Sequence, residues 1–137
     1  MGADPTHREL IAQATAARDR ALAHFSHFKV GAALEAADGR IFTGCNIENA
    51  SYGLTICAER VALYKALSEG AREFKALAVV TAAATLTGLC GACRQVLWEY
   101  CGDIPVVLYS LKGDKKTLTV GELLPHPFDR NDLLPDR

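Results

Sequence analysis

The chain has 137 residues, a length that predicts a single domain over residues 1–137. Its formal net charge of −1, without a strong lysine and arginine cluster, argues against a nucleic-acid partner, because such binding depends mainly on neutralising phosphates. No segment approaches the roughly 18 apolar residues needed to span a membrane, so no membrane partner is expected. The chain has five cysteines, an odd number, which favours a reducing, cytoplasmic location over a secreted disulfide framework.

Apolar periodicity and turn signals predict helix, hairpin, helix, strand, helix, strand and strand, in that order. The first helix is predicted over residues 6–24, and Thr6 and Glu9 have the spacing of a capping box. The tail from Leu123 holds three of the five prolines and is predicted to be irregular. The other predicted elements are strands over 28–36, 41–47, 74–82, 104–109 and 117–120, and helices over 57–69 and 90–101.

Two strand–helix–strand crossovers in this order imply a partly parallel sheet with helices on its faces. The predicted fold class is therefore α/β, a three-layer α-β-α sandwich with a mixed five-stranded sheet. Both crossover helices begin at cysteines, and ligand sites in such folds lie at strand ends and helix N-termini.

Three cysteines and one glutamate form the most informative pattern of the chain. Cys90 and Cys93 are three residues apart at a predicted helix start, so both sulfurs face one point, and Cys57 begins the other helix. Three thiolates leave a fourth zinc position open for water, as in catalytic sites. Glu59, two residues after Cys57, is the candidate proton carrier.

The charge of three thiolates requires compensation, which helix dipoles and a nearby cation would supply. Arg60 is the predicted hydrogen-bond donor to sulfur, and Arg94 is the second candidate. Taken alone, Cys90-x-x-Cys93 also fits a redox pair or half of a zinc knuckle. The remaining cysteines, Cys45 and Cys101, are interpreted as small buried hydrophobic residues.

These residues resemble the zinc-dependent nucleobase deaminases, and the match is closest to the small, homotetrameric cytidine deaminases. It runs from about Phe28 to Phe128. The matching segments are Phe28–Leu34, Gly44–Tyr52, Cys57–Arg60, Cys90–Val96 and Leu123–Pro125. The chain departs from the family at Leu89, where the family has proline, and at His126-Pro127, where the family has small residues.

The resemblance implies hydrolytic deamination of free cytidine and deoxycytidine, with one zinc ion per subunit and Glu59 as the catalytic residue. The partner would be a pyrimidine nucleoside, and the assembly a homotetramer with sites completed by neighbouring subunits. Glu48, as a carboxylate, would accept from a ribose hydroxyl and repel phosphate. The substrate-binding residues would be Phe28, Asn46, Glu48, Tyr52, Ala58 and Phe128.

Two alternatives stay open on the sequence. The first is a related deaminase that acts on an aminopyrimidine antibiotic of the blasticidin type or on a modified cytosine nucleoside. Leu89, which stands where the family has proline, leaves this alternative open. The second is a non-enzymatic zinc module whose tetrahedron is closed by a fourth ligand such as Cys45. That second reading leaves Glu59 unexplained.

Overall fold

The computed structural model describes residues 5–134 and contains one mixed sheet of five strands in the order β2-β1-β3-β4-β5. Strands β3 and β4 are parallel, and the other neighbouring pairs are antiparallel. The strands are β1 (Gly31–Ala36), β2 (Ile41–Cys45), β3 (Phe74–Thr81), β4 (Pro105–Ser110) and β5 (Lys115–Thr119). The α-helices are α1 (Pro5–Arg18), α2 (Ala58–Ser68), α3 (Gly91–Cys101), α4 (Val120–Leu123) and α5 (Arg130–Leu133), and one 3₁₀ turn covers Tyr52–Leu54.

Helices cover both faces of the sheet, which confirms the predicted three-layer α/β class. A hydrophobic core lies on each face of the sheet, and alternate residues of β1 point into one or the other. Leu34 belongs to the core on the side of α2 and α3, and Ala33 belongs to the core on the side of α1. Both crossovers are present, from β2 through α2 to β3 and from β3 through α3 to β4. The starts of α2 and α3 therefore lie at one edge of the sheet, where β2 and β3 end.

The first helix ends at Arg18, so the prediction that it extends to residue 24 was wrong. The alanine-rich pattern continues, but Leu22 donates its N–H to the Asn46 carbonyl and accepts from the Glu48 N–H. These backbone bonds to the segment after β2 replace helical ones. The predicted capping contact of Thr6 involves a side chain outside the described residues.

The C-terminal part also differs from the prediction. The last strand covers Lys115–Thr119 instead of 117–120, because Val120 begins α4 behind a capping box between Thr119 and Glu122. The tail contains a further short helix, α5, whose N-cap is Asp129.

Helix α2 packs very closely on β2 at Gly44. A Cβ atom at this position would lie 2.4 Å from the Ala58 carbonyl oxygen and 2.6 Å from the Ala62 nitrogen. On the opposite face, a Cβ at Gly31 would lie 2.0 Å from the Ala14 carbonyl oxygen of α1. Only glycine permits these approaches, and the one at Gly44 fixes the first turn of α2 against the sheet.

Candidate functional site

Three sulfur atoms meet where α2 and α3 begin. The Sγ atoms of Cys57 and Cys90 are 3.5 Å apart, those of Cys90 and Cys93 are 3.4 Å apart, and all three lie within 4.8 Å of one another. Zinc–sulfur bonds of about 2.3 Å in a tetrahedron separate sulfurs by roughly 3.8 Å. The cluster therefore fits zinc, with soft thiolate donors and three protein ligands.

Two of these cysteines are the N-cap residues of their helices. Cys57 precedes α2 and Cys90 precedes α3, and neither makes a side-chain capping hydrogen bond to the residues that the structure describes. The positive ends of both helix dipoles therefore point toward the sulfurs, which favours the thiolate form.

Arg60 lies against the cluster, with a terminal guanidinium nitrogen 3.6 Å from Cys57 Sγ. The pKa of Cys57 is lowered to about 5, chiefly by a hydrogen bond from the Cys93 thiol and further by Arg60. The hydrogen bond that Arg60 donates to Cys57 raises the pKa of the Arg60 guanidinium. Arg94 has a different role, because it donates to the carbonyl oxygens of Leu89 at 2.8 Å and Leu123 at 2.7 Å.

Glu59 lies in the first turn of α2 and is only 5% exposed. Burial raises its pKa to about 7, with the charge of Cys57 acting in the same direction. A carboxyl group with this pKa exchanges a proton readily near neutrality, which is what a general acid–base group needs. Glu59 and the sulfur-bearing Cys57 thus lie at the start of the same helix.

A pocket of about 250 Å³ opens in front of these groups. It brings together seven of the predicted residues from four chain segments. They are Phe28, Asn46, Glu48, Ala58 and Glu59, together with the sulfur-bearing Cys57 and Cys90. Its walls are mainly apolar with a few polar groups, which is typical of small-molecule sites.

The Asn46 side chain ties the segment before β1 to the end of β2. Its Oδ1 accepts from the Val30 N–H at 2.9 Å, and its Nδ2 donates to the Phe28 carbonyl at 2.8 Å. One N–H of the amide is left for a ligand. Asn46 therefore positions Phe28 and still has a donor to offer the pocket.

Glu48 is held in a fixed orientation by the loop before β1. Its carboxylate accepts from the backbone N–H groups of Phe25 at 2.8 Å and Ser26 at 3.0 Å, and from the Ser26 hydroxyl. These bonds lower the pKa of Glu48, the Ser26 hydroxyl most of all. A carboxylate has about four acceptor sites, so three bonds leave room for a ligand hydroxyl.

Tyr52 and Phe128 are absent from the lining of this pocket. Tyr52 is 73% exposed and lines a neighbouring depression, where its ring stands edge-on to Phe25 at 5.7 Å between centroids. Phe128 is 56% exposed in the segment beside α3. Both rings project from the surface of the single chain.

Sequence reasoning missed four hydroxyl residues that line the pocket. Ser26 is the most important, because its Oγ both donates to Glu48 and accepts from the Phe28 N–H at 3.0 Å. Isolated serines and threonines carry no distinctive spacing, so no signal in one sequence identifies them. The four are Ser26, Thr55, Thr81 and Thr87.

Leu89 is 4% exposed and packs into the core beneath α2 and α3, while its neighbours Gly88 and Cys90 line the pocket.

Cys45 lies outside the sulfur cluster, so within residues 5–134 the described group has three cysteines. Burial raises the pKa of Cys101 to about 12 and makes it an unreactive thiol. Over the same residues, no helix combines the length and apolar character needed to cross a membrane.

Comparison with known proteins gives a consistent result. Residues 4–110 match the model of the "Cytidine and deoxycytidylate deaminase zinc-binding region". A cytidine deaminase of Sporosarcina psychrophila is 53% identical over 126 residues, which cover 91% of this chain and 93% of that protein. The crystal structure of a cytidine deaminase from Burkholderia pseudomallei superposes with a TM-score of 0.87 at 50% identity, covering 89% of this chain and 98% of that one. A blasticidin-S deaminase of Bacillus cereus is 30% identical over 110 residues, covering 74% of this chain and 78% of that protein.

Proposed function

The chain belongs to the cytidine and deoxycytidylate deaminase family, and we propose that it hydrolyses free cytidine and deoxycytidine to uridine and deoxyuridine, releasing ammonia. One observation carries this proposal: three sulfurs suited to zinc lie beside a buried carboxyl group at the edge of a small pocket. Cys57, Cys90 and Cys93 would hold the metal.

When bound, zinc supplies Lewis acidity that lowers the pKa of a water molecule to about 7. Glu59 moves the protons of the reaction. A carboxylate oxygen of Glu59 takes a proton from the attacking water and delivers it to ring N3, which makes C4 electrophilic. The water oxygen bonds to C4, and Glu59 then transfers the second water proton to the exocyclic amino group. The C4–N bond breaks, ammonia leaves, and the oxygen remains as the C4 carbonyl of the product. Burial of Glu59 raises its pKa to about 7, in the range that this relay requires.

The nucleoside would be held by polar groups of the pocket and by Phe28. Asn46 would donate its free N–H and Glu48 would accept from a ribose hydroxyl, while Phe28 would contact the nucleoside. Ala58 offers its backbone groups beside the sulfurs. Because Glu48 is a fixed carboxylate, a phosphorylated substrate would be repelled, which favours a nucleoside over a nucleotide.

The assembly is proposed to be a homotetramer in the cytoplasm. Exposed apolar side chains support the oligomer, among them Tyr52 and Phe128, whose rings project from the single chain. In that assembly both rings would complete the pockets of neighbouring subunits. The free thiols of the five cysteines support a reducing compartment. Light scattering that shows a fully active monomer would contradict the assembly.

The decisive experiment combines zinc analysis with the fall in ultraviolet absorbance when cytidine is added. We expect about one zinc per chain and rapid turnover of cytidine, and parallel assays with deoxycytidine and blasticidin S define the range of substrates. Zinc without any turnover would instead favour a structural module.

Replacing Glu59 with glutamine separates catalysis from metal binding. We expect a loss of kcat of at least roughly 10²- to 10⁴-fold with zinc retained. The matched control is Glu69→Gln, which makes the same change at an exposed position at the far end of the same helix. An active Glu59→Gln enzyme would refute the assignment of Glu59.

A further inference from the structure

The segment of residues 124–134, which we name the C-terminal strap, is fastened to α3 by several side chains. Gln95 Nε2 donates to the Phe128 carbonyl, and Trp98 Nε1 donates to Asp129 Oδ2 at 3.1 Å. The Arg130 guanidinium lies over the Tyr100 ring, 5.9 Å from its centroid. The strap is therefore held by bonds to one rigid helix.

Asp129 is the central residue of this attachment. Its Oδ1 accepts from the Asn131 N–H at 2.8 Å as the N-cap of α5, while its Oδ2 accepts from Trp98. The bond from the indole lowers the pKa of Asp129. Since α5 has only four residues, it has little stability of its own. The bonds to α3 must therefore determine where the strap lies.

Phe128 lies at the first of these attachment points. Gln95 holds its carbonyl, and Trp98 holds the next residue, so its backbone is fixed on the C-terminal side. Gln95 and Trp98 are three positions apart, which places them on one face of α3. Cys93 belongs to the same helix. The exposed ring of Phe128 is thus set at a defined position relative to the metal-bearing helix.

We propose that Trp98 is a positioning residue, which acts through its bond to Asp129 to hold Phe128 against the base of a nucleoside in a neighbouring subunit. This inference rests on the proposed function, in which Phe128 contacts substrate across an interface. Trp98 itself touches the strap and not the pocket, so its effect on substrate passes through Phe128.

The test is the Trp98→Phe variant, which keeps an aromatic ring and removes the indole donor. We expect KM for cytidine to rise about three- to tenfold, with kcat within about twofold of the parent. Phe128→Ala removes the stacking ring and should raise KM by roughly 5- to 150-fold. The double variant should have the KM of Phe128→Ala alone, because Trp98 acts only through Phe128. Tyr100→Phe, on the same helix, is the matched control and should leave KM unchanged.

The outcomes distinguish the contact of Phe128 with substrate from the positioning role of Trp98. If Phe128→Ala leaves KM unchanged, the proposed contact of Phe128 with substrate is wrong, and the inference falls with it. If Phe128→Ala raises KM but Trp98→Phe does not, or if the two effects multiply in the double variant, the positioning role alone is refuted.

A second variant tests the bond without changing the indole. Trp98 is the single tryptophan of the sequence, so its fluorescence reports directly on this contact. Asp129→Asn should shift the emission and raise KM together. Unchanged emission and unchanged KM would overturn the proposal.

Discussion

Gly44 offers a direct test of how the fold positions α2, the helix that carries Glu59. Its Cβ position is 2.4 Å from the Ala58 carbonyl oxygen, whereas ordinary contacts begin at 3.4 Å. Gly44→Ala must therefore move β2 and the start of α2 apart by about 1 Å. Overpacking of this kind typically costs about 1–3 kcal/mol of stability.

The displacement falls on the helical turn that carries Cys57 and Glu59. A misplacement of about 1 Å can reduce the rate by roughly 10²-fold. We therefore expect Gly44→Ala to lower kcat/KM by about that factor and to weaken zinc retention against a competing chelator. The assays are the ultraviolet absorbance assay and zinc analysis after dialysis at fixed chelator concentration.

Gly31→Ala is the matched control, because it creates an even closer clash, 2.0 Å from the Ala14 carbonyl oxygen, on the opposite face of the sheet. It should lower the thermal midpoint while the folded protein retains zinc. Gly53→Ala, where a Cβ would meet nothing within 4 Å, should change neither property. The claim that close packing at Gly44 positions the start of α2 is refuted if Gly44→Ala retains normal kcat/KM and zinc, or if Gly44→Ala and Gly31→Ala lose zinc equally.

Three further predictions concern single contacts. Ser26→Ala removes the hydroxyl that orients Glu48, so KM for cytidine should rise up to roughly tenfold with kcat little changed; a change in kcat alone would contradict this role. Leu63→Ala removes a fully buried side chain from α2 and should lower the free energy of unfolding, measured by denaturant titration, by about 2–5 kcal/mol. Lys65→Ala, at an exposed position of the same helix, should change this free energy by no more than about 0.5 kcal/mol. Removing zinc with a chelator should abolish turnover and increase the number of thiols that react with a disulfide reagent, and re-addition of zinc should reverse both; a thiol count that does not change would argue against the cysteines as ligands.

The elements that sequence predicted well are those governed by local rules. Cys90 and Cys93 share a helix start, so their spacing alone brings the sulfurs together, and Glu59 follows Cys57 in the same turn. The hairpin of β1 and β2 is equally local. These features depend on a few consecutive residues, and the structure brings them together as their spacing implies.

The elements that sequence missed depend on contacts between distant segments. The first helix stops at Arg18 because Leu22 pairs with the segment after β2, and no local signal overrides the alanine-rich pattern. The bond between Ser26 and Glu48 spans 22 positions, and the one between Trp98 and Asp129 spans 31. Such pairs become visible only when the chain is folded.

The two N-cap cysteines have a consequence for how the enzyme matures. Serine, threonine, aspartate and asparagine are the usual caps, and their absence leaves a helix start weaker by roughly 1 kcal/mol. With Cys57 and Cys90 at these positions, a zinc ion bound to the sulfurs would also fasten the first turns of α2 and α3 to each other. Amide hydrogen exchange in both turns should therefore slow together when zinc is loaded. Glu59 belongs to one of those turns, so the proposed proton carrier would become ordered when the metal binds, and a chain without metal would lack both the metal and a positioned carboxyl group.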